Sequence, residues 1–260
     1  MIVRALRISA ATAARRTMAE PGGLFVTVFF YLAVVSVLST LWRTATQANG
    51  GTVAGYTAVA LTWYVATSEA ATVTMNTRLI EETGEDIASG AIAVELLRPI
   101  SVLGLRVATE LGRCLPRLAI CGAIGVAYAC VLGGAPPRPL GLLLAAPSLV
   151  LAIACNLVAQ HAFAAASFWI RDARSTWFLY QKLVFIVGGM LLPLEVLPAV
   201  MREIALRLPF MAMAYAPSRL ASGHVEPWLL LVQAFWFVVL SALAVGVFAR
   251  GERRLQVVGG

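Results

Sequence analysis

Thirteen acidic residues are spread through this 260-residue chain, and four of them, Glu81, Glu82, Glu85 and Asp86, fall close together. They sit in "RLIEETGEDIASGAIAVELLRPIS", residues 78 to 101, between two long apolar runs. Clustered carboxylates bind metals or move protons when histidine or cysteine joins them. Here His161 and His224 lie elsewhere in the chain, and no HExxH spacing occurs. What remains is recognition by charge. Acid at the head of a helix is favoured by the macrodipole, and Ile87, Ala91, Val94 and Leu97 follow at helical spacing. Pro99 bars regular helix through Arg98. The pattern predicts a short amphipathic helix from Glu85 to just before Arg98, with its acidic cluster offered to a basic partner. An ordinary interfacial helix would account for the amphipathicity alone. It would not account for acid placed beside a membrane surface that is itself negative.

Other chemistries find no support. A Walker nucleotide site needs Gly-x-x-x-x-Gly-Lys followed by Ser or Thr, the lysine reaching the β- and γ-phosphates. Lys182, the single lysine among twenty basic residues, follows no glycine loop and precedes Leu183. Any ATP drive must therefore come from another polypeptide. A nucleophile elbow is absent. Cys114, Cys121, Cys130 and Cys155 lie in or beside apolar runs without CxxC spacing and read as packing residues. The chain is expected to be no enzyme, with no metal and no cofactor of its own.

The elements that must position the acidic segment are apolar and long. The chain is 60% hydrophobic and 13% charged, with a mean hydropathy of +0.84. Its apolar runs are about twenty residues long, the length that crosses a hydrocarbon core of roughly 30 Å. They lack the period-two alternation of a barrel, so the backbone satisfies itself as helix. An all-α integral membrane protein follows. Residues 1 to 23 read as a basic amphipathic interfacial helix, with Val3, Leu6, Ile8 and Met18 against Arg4, Arg7, Arg15 and Arg16. Six spans are expected, at about 24–42, 54–74, 113–132, 140–169, 177–194 and 228–248. Residues 75 to 105 form the segment between spans two and three, and residues 195 to 227 hold Pro198, Pro209, Pro217 and Pro227.

Six spans put both termini on one side. Arg4, Arg7, Arg15, Arg16, Arg78, Arg98, Arg106, Arg171, Arg174, Arg250, Arg253 and Arg254 share that side, against Arg43, Arg138, Arg202, Arg207 and Arg219. The excess places both termini in the cytoplasm. Net charge is +7, but the arginines cluster at the ends of apolar runs, which is a topology signal rather than a nucleic-acid stripe.

Within the membrane, Glu69 and Arg117 are predicted at similar depth on antiparallel neighbours. Either they pair, or Arg117 snorkels to the headgroups while Glu69 faces a wet gap. Arg106, Glu110, Arg113 and Arg117 share one helical face, as a solvated interfacial stripe or as a partner contact. Asn156, Gln160 and His161 suit helix–helix hydrogen bonds as well as a substrate contact. "GTVAG" at 51 to 55 matches a G-x-x-x-G packing motif weakly.

The segment "GEDIASGAIAVELLRPIS" is similar to the stretch of ABC-2 type transporter permeases in which charge and a glycine precede an apolar helix ending in Leu-Leu-x-Pro. The basic N-terminal helix, the "RDAR" between spans four and five, and "LPLEVLPAVMREIALRLPF" followed by "YAPSRLASG" resemble that family too. The resemblance covers essentially the whole chain. It implies the membrane half of an ABC exporter in a bacterial inner membrane, moving a hydrophobic or amphipathic substrate outward. It implies two copies of a P-loop ATPase partner, which carry the ATP and Mg²⁺, and a second permease, identical or related. The 75–105 segment would act as a coupling helix, with Glu81, Glu82, Glu85, Asp86 and Arg98 at the ATPase interface. Arg171, Asp172 and Arg174 would form a smaller second contact. Residues 195 to 227 would dip back into the outer leaflet, and spans two and five would line the route. The family often carries a basic residue just before the glycine, where this chain has "GEDIASG". A gradient-driven transporter or channel is the competing class. It calls for acids at mid-depth or broken helices in both halves.

Overall fold

A computed structural model describes residues 2–97, 100–170 and 172–258. Helix α1 (Ile2–Ala19) is followed after one residue by α2 (Pro21–Ala48), a start suited to proline, whose missing N–H costs nothing there. A hairpin of β1 (Thr52–Val53) and β2 (Tyr56–Thr57) turns the chain through Ala54-Gly55. The expected G-x-x-x-G motif at 51–55 thus lies largely in this hairpin rather than on a helix face. Helix α3 (Ala58–Val73) starts where the Thr57 hydroxyl accepts from the Ala60 N–H at 3.2 Å. Helices α4 (Leu79–Ala88) and α5 (Ile92–Leu96) come next, then α6 (Val102–Gly133) and α7 (Pro139–Ala164). After α8 (Ala173–Lys182) come α9 (Ala199–Arg207), α10 (Tyr215–Ala221) and α11 (Trp228–Val258).

Among the described residues, four segments are long and apolar enough to cross a membrane on their own: Pro21–Ala48, Val102–Gly133, Pro139–Phe168 and Trp228–Arg253. The other two expected spans take different forms. Helix α3 has 16 residues, about 24 Å at 1.5 Å per residue, because the hairpin uses the residues before Ala58. It is also deeply buried, every residue from Ala60 to Ala71 being covered. The expected fifth span, 177–194, is broken. Helix α8 passes into a π-turn at Leu183–Val187, where the Gly188 N–H reaches the Leu183 carbonyl at 3.1 Å. Gly189 then takes φ +70, a left-handed conformation that β-carbon residues rarely adopt. The freed carbonyls find new donors: Gly188 accepts from the Tyr215 N–H at 3.0 Å, and Gly189 accepts from the Tyr64 hydroxyl. Short helices between Leu194 and Ala221 fill the rest of this region, and α10 packs into α3 and α7.

The third span also starts earlier than its charges suggest. The Ser101 hydroxyl accepts from the Gly104 N–H at 3.2 Å and begins α6 there, so Arg106 to Arg117 ride on one continuous helix. Helices α1, α4, α5 and the start of α8 gather at one end of the bundle, and Phe248 meets Phe168 there with ring centroids 5.7 Å apart. Hence α1 and the last part of α11 approach the same end of the bundle. The hairpin, α9 and the α10–α11 connection occupy the opposite end.

Candidate functional site

The acidic segment folds differently from the single helix predicted at 85–97. Helix α4 starts at Leu79, so Glu81 and Glu82 occupy its first turn, where the macrodipole favours acid. It ends before Gly90, whose φ of +78 turns the chain into the short α5. The expected stripe of Ile87, Ala91, Val94 and Leu97 is therefore split. Ile87 is buried, whereas Val94 and Leu97 are 67% and 85% exposed. Ile92, outside that stripe, enters the core from α5.

Helix α4 lies directly on the loop that leads to α8. A β-carbon at Gly84 would stand 2.4 Å from the Ala173 Cβ and 2.7 Å from the Ser167 Oγ. Only glycine permits that approach. The two segments are further joined by Glu81, 3.9 Å from Arg174 and 3.6 Å from Arg78, and by the Trp177 indole N–H, which donates to the Thr77 carbonyl at 2.6 Å. Asp172 caps α8 by accepting from the Ser175 N–H at 3.1 Å and from the Ser175 hydroxyl. Those bonds hold its carboxyl below the usual carboxylate range. Between the segments runs a shallow groove of about 240 Å³, lined by Arg78, Glu81, Gly84, Glu85, Asp172 and Arg174 among others. Residues expected to touch one partner from two distant stretches of sequence thus share one surface.

The four acids do not share one role. Asp86 points inward to the Arg106 guanidinium at 2.6 Å, and Glu95 accepts two bonds from the same group at 2.9 Å each. The Thr83 hydroxyl completes the set at 3.3 Å. Arg106, only 16% exposed, therefore pins α4 and α5 to α6. Glu82 accepts from the Asn76 amide at 2.9 Å. Glu85 is exposed and, among the described residues, makes no ion pair. Arg98 and Arg171 lie outside the described residues. Glu69 and Arg117 form no ion pair among the described residues. Arg117 is drawn instead into a polar cavity beneath α1, while Glu69 stays buried in α3. Sequence reasoning missed Arg106 and Gly84 as members of this site. The complementary Asp86, Glu95 and Arg106 charges on consecutive elements were the available signal.

At the opposite end a second arginine organises another constellation. Arg219 contacts Glu195 at 2.6 Å, Glu226 at 2.8 Å and the Tyr56 hydroxyl at 2.6 Å. Tyr56 and Tyr215 donate to Glu195 at 3.1 and 2.7 Å. His224 lies 4.9 Å from the Tyr56 ring, and burial together with Arg219 holds it below the usual imidazole range. Between the two ends, Asn156 and Gln160 hydrogen-bond to each other along α7, and His161 Nδ1 meets the Leu157 carbonyl at 2.7 Å. Asn156 and Gln160 border a cavity of about 120 Å³ with Thr72, Trp177 and Tyr180, where the ends of α3 and α8 come together.

A bundle of long apolar helices around a buried helix, with an interfacial helix and a composite charged surface at one end, defines a polytopic membrane permease. The chain belongs to the family described as ABC-2 family transporter protein, whose sequence model matches residues 25–259. Comparison with curated proteins gives no match.

Proposed function

We propose that this chain is the permease subunit of an ATP-driven exporter, powered by a separate P-loop ATPase that grips the α4–α8 surface. The observation that carries this reading is the convergence of α4 and the 172–174 stretch on one exposed groove. Two ATPase copies would bind a pair of permeases, identical or related, with both termini in the cytoplasm of a bacterial cell. Force on α4 has two outlets. Arg106 carries it to α6, and Trp177 carries it to α8 and on through the π-turn to Gly188 and Gly189, which bond α10 and α3. A rigid-body tilt of these elements would open the route toward the far side for a hydrophobic or amphipathic substrate.

A gradient-driven carrier is favoured by one observation, the helix broken at 183–189. That class expects matched breaks in both halves, and among the described residues the long helices of the first half are continuous.

Affinity purification of the full chain from native membranes, with mass spectrometry of co-eluting proteins, tests the proposal. A stoichiometric P-loop ATPase is expected, depleted by Glu81→Arg/Glu85→Arg. An ATPase retained in full by the variant would move the grip elsewhere. Its absence from a complex shown to survive the detergent would favour the carrier.

A further inference from the structure

One cavity among the described residues lies apart from the α4–α8 groove, sharing only Arg78 with it. The cavity measures about 680 Å³ and lies between α1, the chain leaving α3, and the first turns of α6. That volume falls within the ordinary range of small-ligand pockets, about 300–1,000 Å³. Four guanidinium groups line it, those of Arg16, Arg78, Arg113 and Arg117, against the carboxylates of Glu20 and Glu110. Glu110 is already committed through one oxygen to Arg113 at 2.5 Å, so the free balance is positive. Among the described residues, the Arg117 Nε is buried without a hydrogen-bond partner, and so is the second Glu110 oxygen. Buried polar atoms left unpaired are rare in folded proteins and call for an occupant.

The cavity is built rather than incidental. Helix α1 meets α6 through small residues: a β-carbon at Gly112 would fall 2.1 Å from the Ala10 carbonyl oxygen. Ser9 and Thr109 hydroxyls join across the contact at 2.6 Å. Ala13 and Thr17 are the buried residues of α1, and Leu6 lies against α6 near Gly104, while four other large apolar side chains stay uncovered. Ile2, Val3, Ile8 and Met18 are 53% to 62% exposed, and Phe25 in the next helix is 71% exposed. A helix with uncovered large apolar residues, and with Arg16 beside a polar cavity, suits the boundary of acyl chains and headgroups.

We propose that this cavity binds the phosphodiester headgroup of a glycerophospholipid, with Arg16 and Arg117 as its principal ligands. Guanidinium forks match phosphate oxygens in geometry and charge. The lipid source is preferred to a free phosphate because the cavity lies behind a helix at headgroup depth. Bound lipid would fasten α1 to α6.

The full chain, purified in mild detergent, would be examined by native mass spectrometry and thermal melting during add-back of lipid. Three probes separate the sources: phosphatidylglycerol, diacylglycerol lacking the phosphate, and inorganic phosphate. Retained phospholipid near one per chain is expected, with phosphatidylglycerol raising Tm and diacylglycerol not. Arg16→Gln/Arg117→Gln should weaken that response at least tenfold. Arg4→Gln/Arg7→Gln, which removes equal charge from α1 outside the cavity, should leave it intact. Saturable stabilisation by inorganic phosphate without retained lipid would overturn the lipid assignment in favour of a soluble phosphate. Equal stabilisation by diacylglycerol and phosphatidylglycerol would overturn the proposal, and this arm needs only the unaltered protein. So would equal responses from the two double variants.

Discussion

The two ends of the bundle are each organised around one arginine, and the arginines resemble each other closely. Arg106 is 16% exposed and bridges Asp86 and Glu95, while Arg219 is 17% exposed and bridges Glu195 and Glu226. Their surroundings differ. The Arg106 partners all come from the stretch between Thr83 and Arg106, on consecutive elements, and the helix they hold keeps Glu85 on its outer face. The Arg219 partners come from Tyr56 in the hairpin, Glu195 beyond the broken helix and Glu226 before α11. One cluster is a local brace behind a surface that stays available. The other closes distant parts of the chain onto each other under aromatic rings. The difference teaches that similar charge chemistry can hold a handle at one end and a clasp at the other, depending on the sequence distance it spans.

The largest effect should come from opening the clasp. Arg219→Ala leaves the partly buried Glu195 and Glu226 carboxylates and the Tyr56 hydroxyl without their guanidinium donor, a loss of roughly 3–5 kcal/mol by analogy with broken buried pairs. Thermal melting should show it as a Tm drop of about ten degrees at 2–4 °C per kcal/mol. A drop no larger than that of Arg207→Ala, in the exposed pair with Glu203, would erase the distinction between clasp and surface pair. Arg106→Ala should cost somewhat less, roughly 2–4 kcal/mol, because Asp86 and Glu95 can rehydrate. Its sharper signature is functional: ATPase should still co-purify while transport falls, since the surface remains but its brace to α6 is lost.

Gly84→Val tests the close approach of α4 to the α8 loop. The added carbons must displace Ala173, at a cost of about 1–3 kcal/mol, and ATPase recovery should fall with stability. Glu85→Arg should separate those two readouts. An exposed substitution changes stability by within about 0.5 kcal/mol, yet it should lower ATPase recovery if the surface is the grip. The smallest effect is expected at His224. Its folded-state pKa is depressed, so the unfolded chain takes up the proton first as pH falls. The neutral ring's contribution is present above about pH 6.5 and is lost as pH falls toward the folded value. His224→Gln should flatten that shallow acid limb in melting curves measured from pH 7.5 to 5.

The helical membrane class, the basic first helix, the acidic segment and its position before α6 were legible from residue types alone. Hydropathy and charge act locally, and lipid leaves a chain few alternatives to helix. The departures arose where neighbours outside the local window decided the outcome. Residues 177–194 are apolar enough for a span, yet Gly188 and Gly189 break it because Tyr215 and Tyr64 supply donors for the freed carbonyls. Glu69 and Arg117 were expected at one depth but do not face each other, since Arg117 lines the cavity between α6 and α1.

By itself, then, the sequence determined what each stretch could be: spanning, interfacial or exposed and acidic. Those properties depend on composition and periodicity within a few turns. Only the tertiary structure decided which charges meet. It turned Asp86 inward and left Glu85 outward, brought Arg174 to Glu81, and let Arg219 gather Tyr56, Glu195 and Glu226. Contacts between distant residues depend on helix packing and on where glycine lets backbones approach, and no local pattern encodes them.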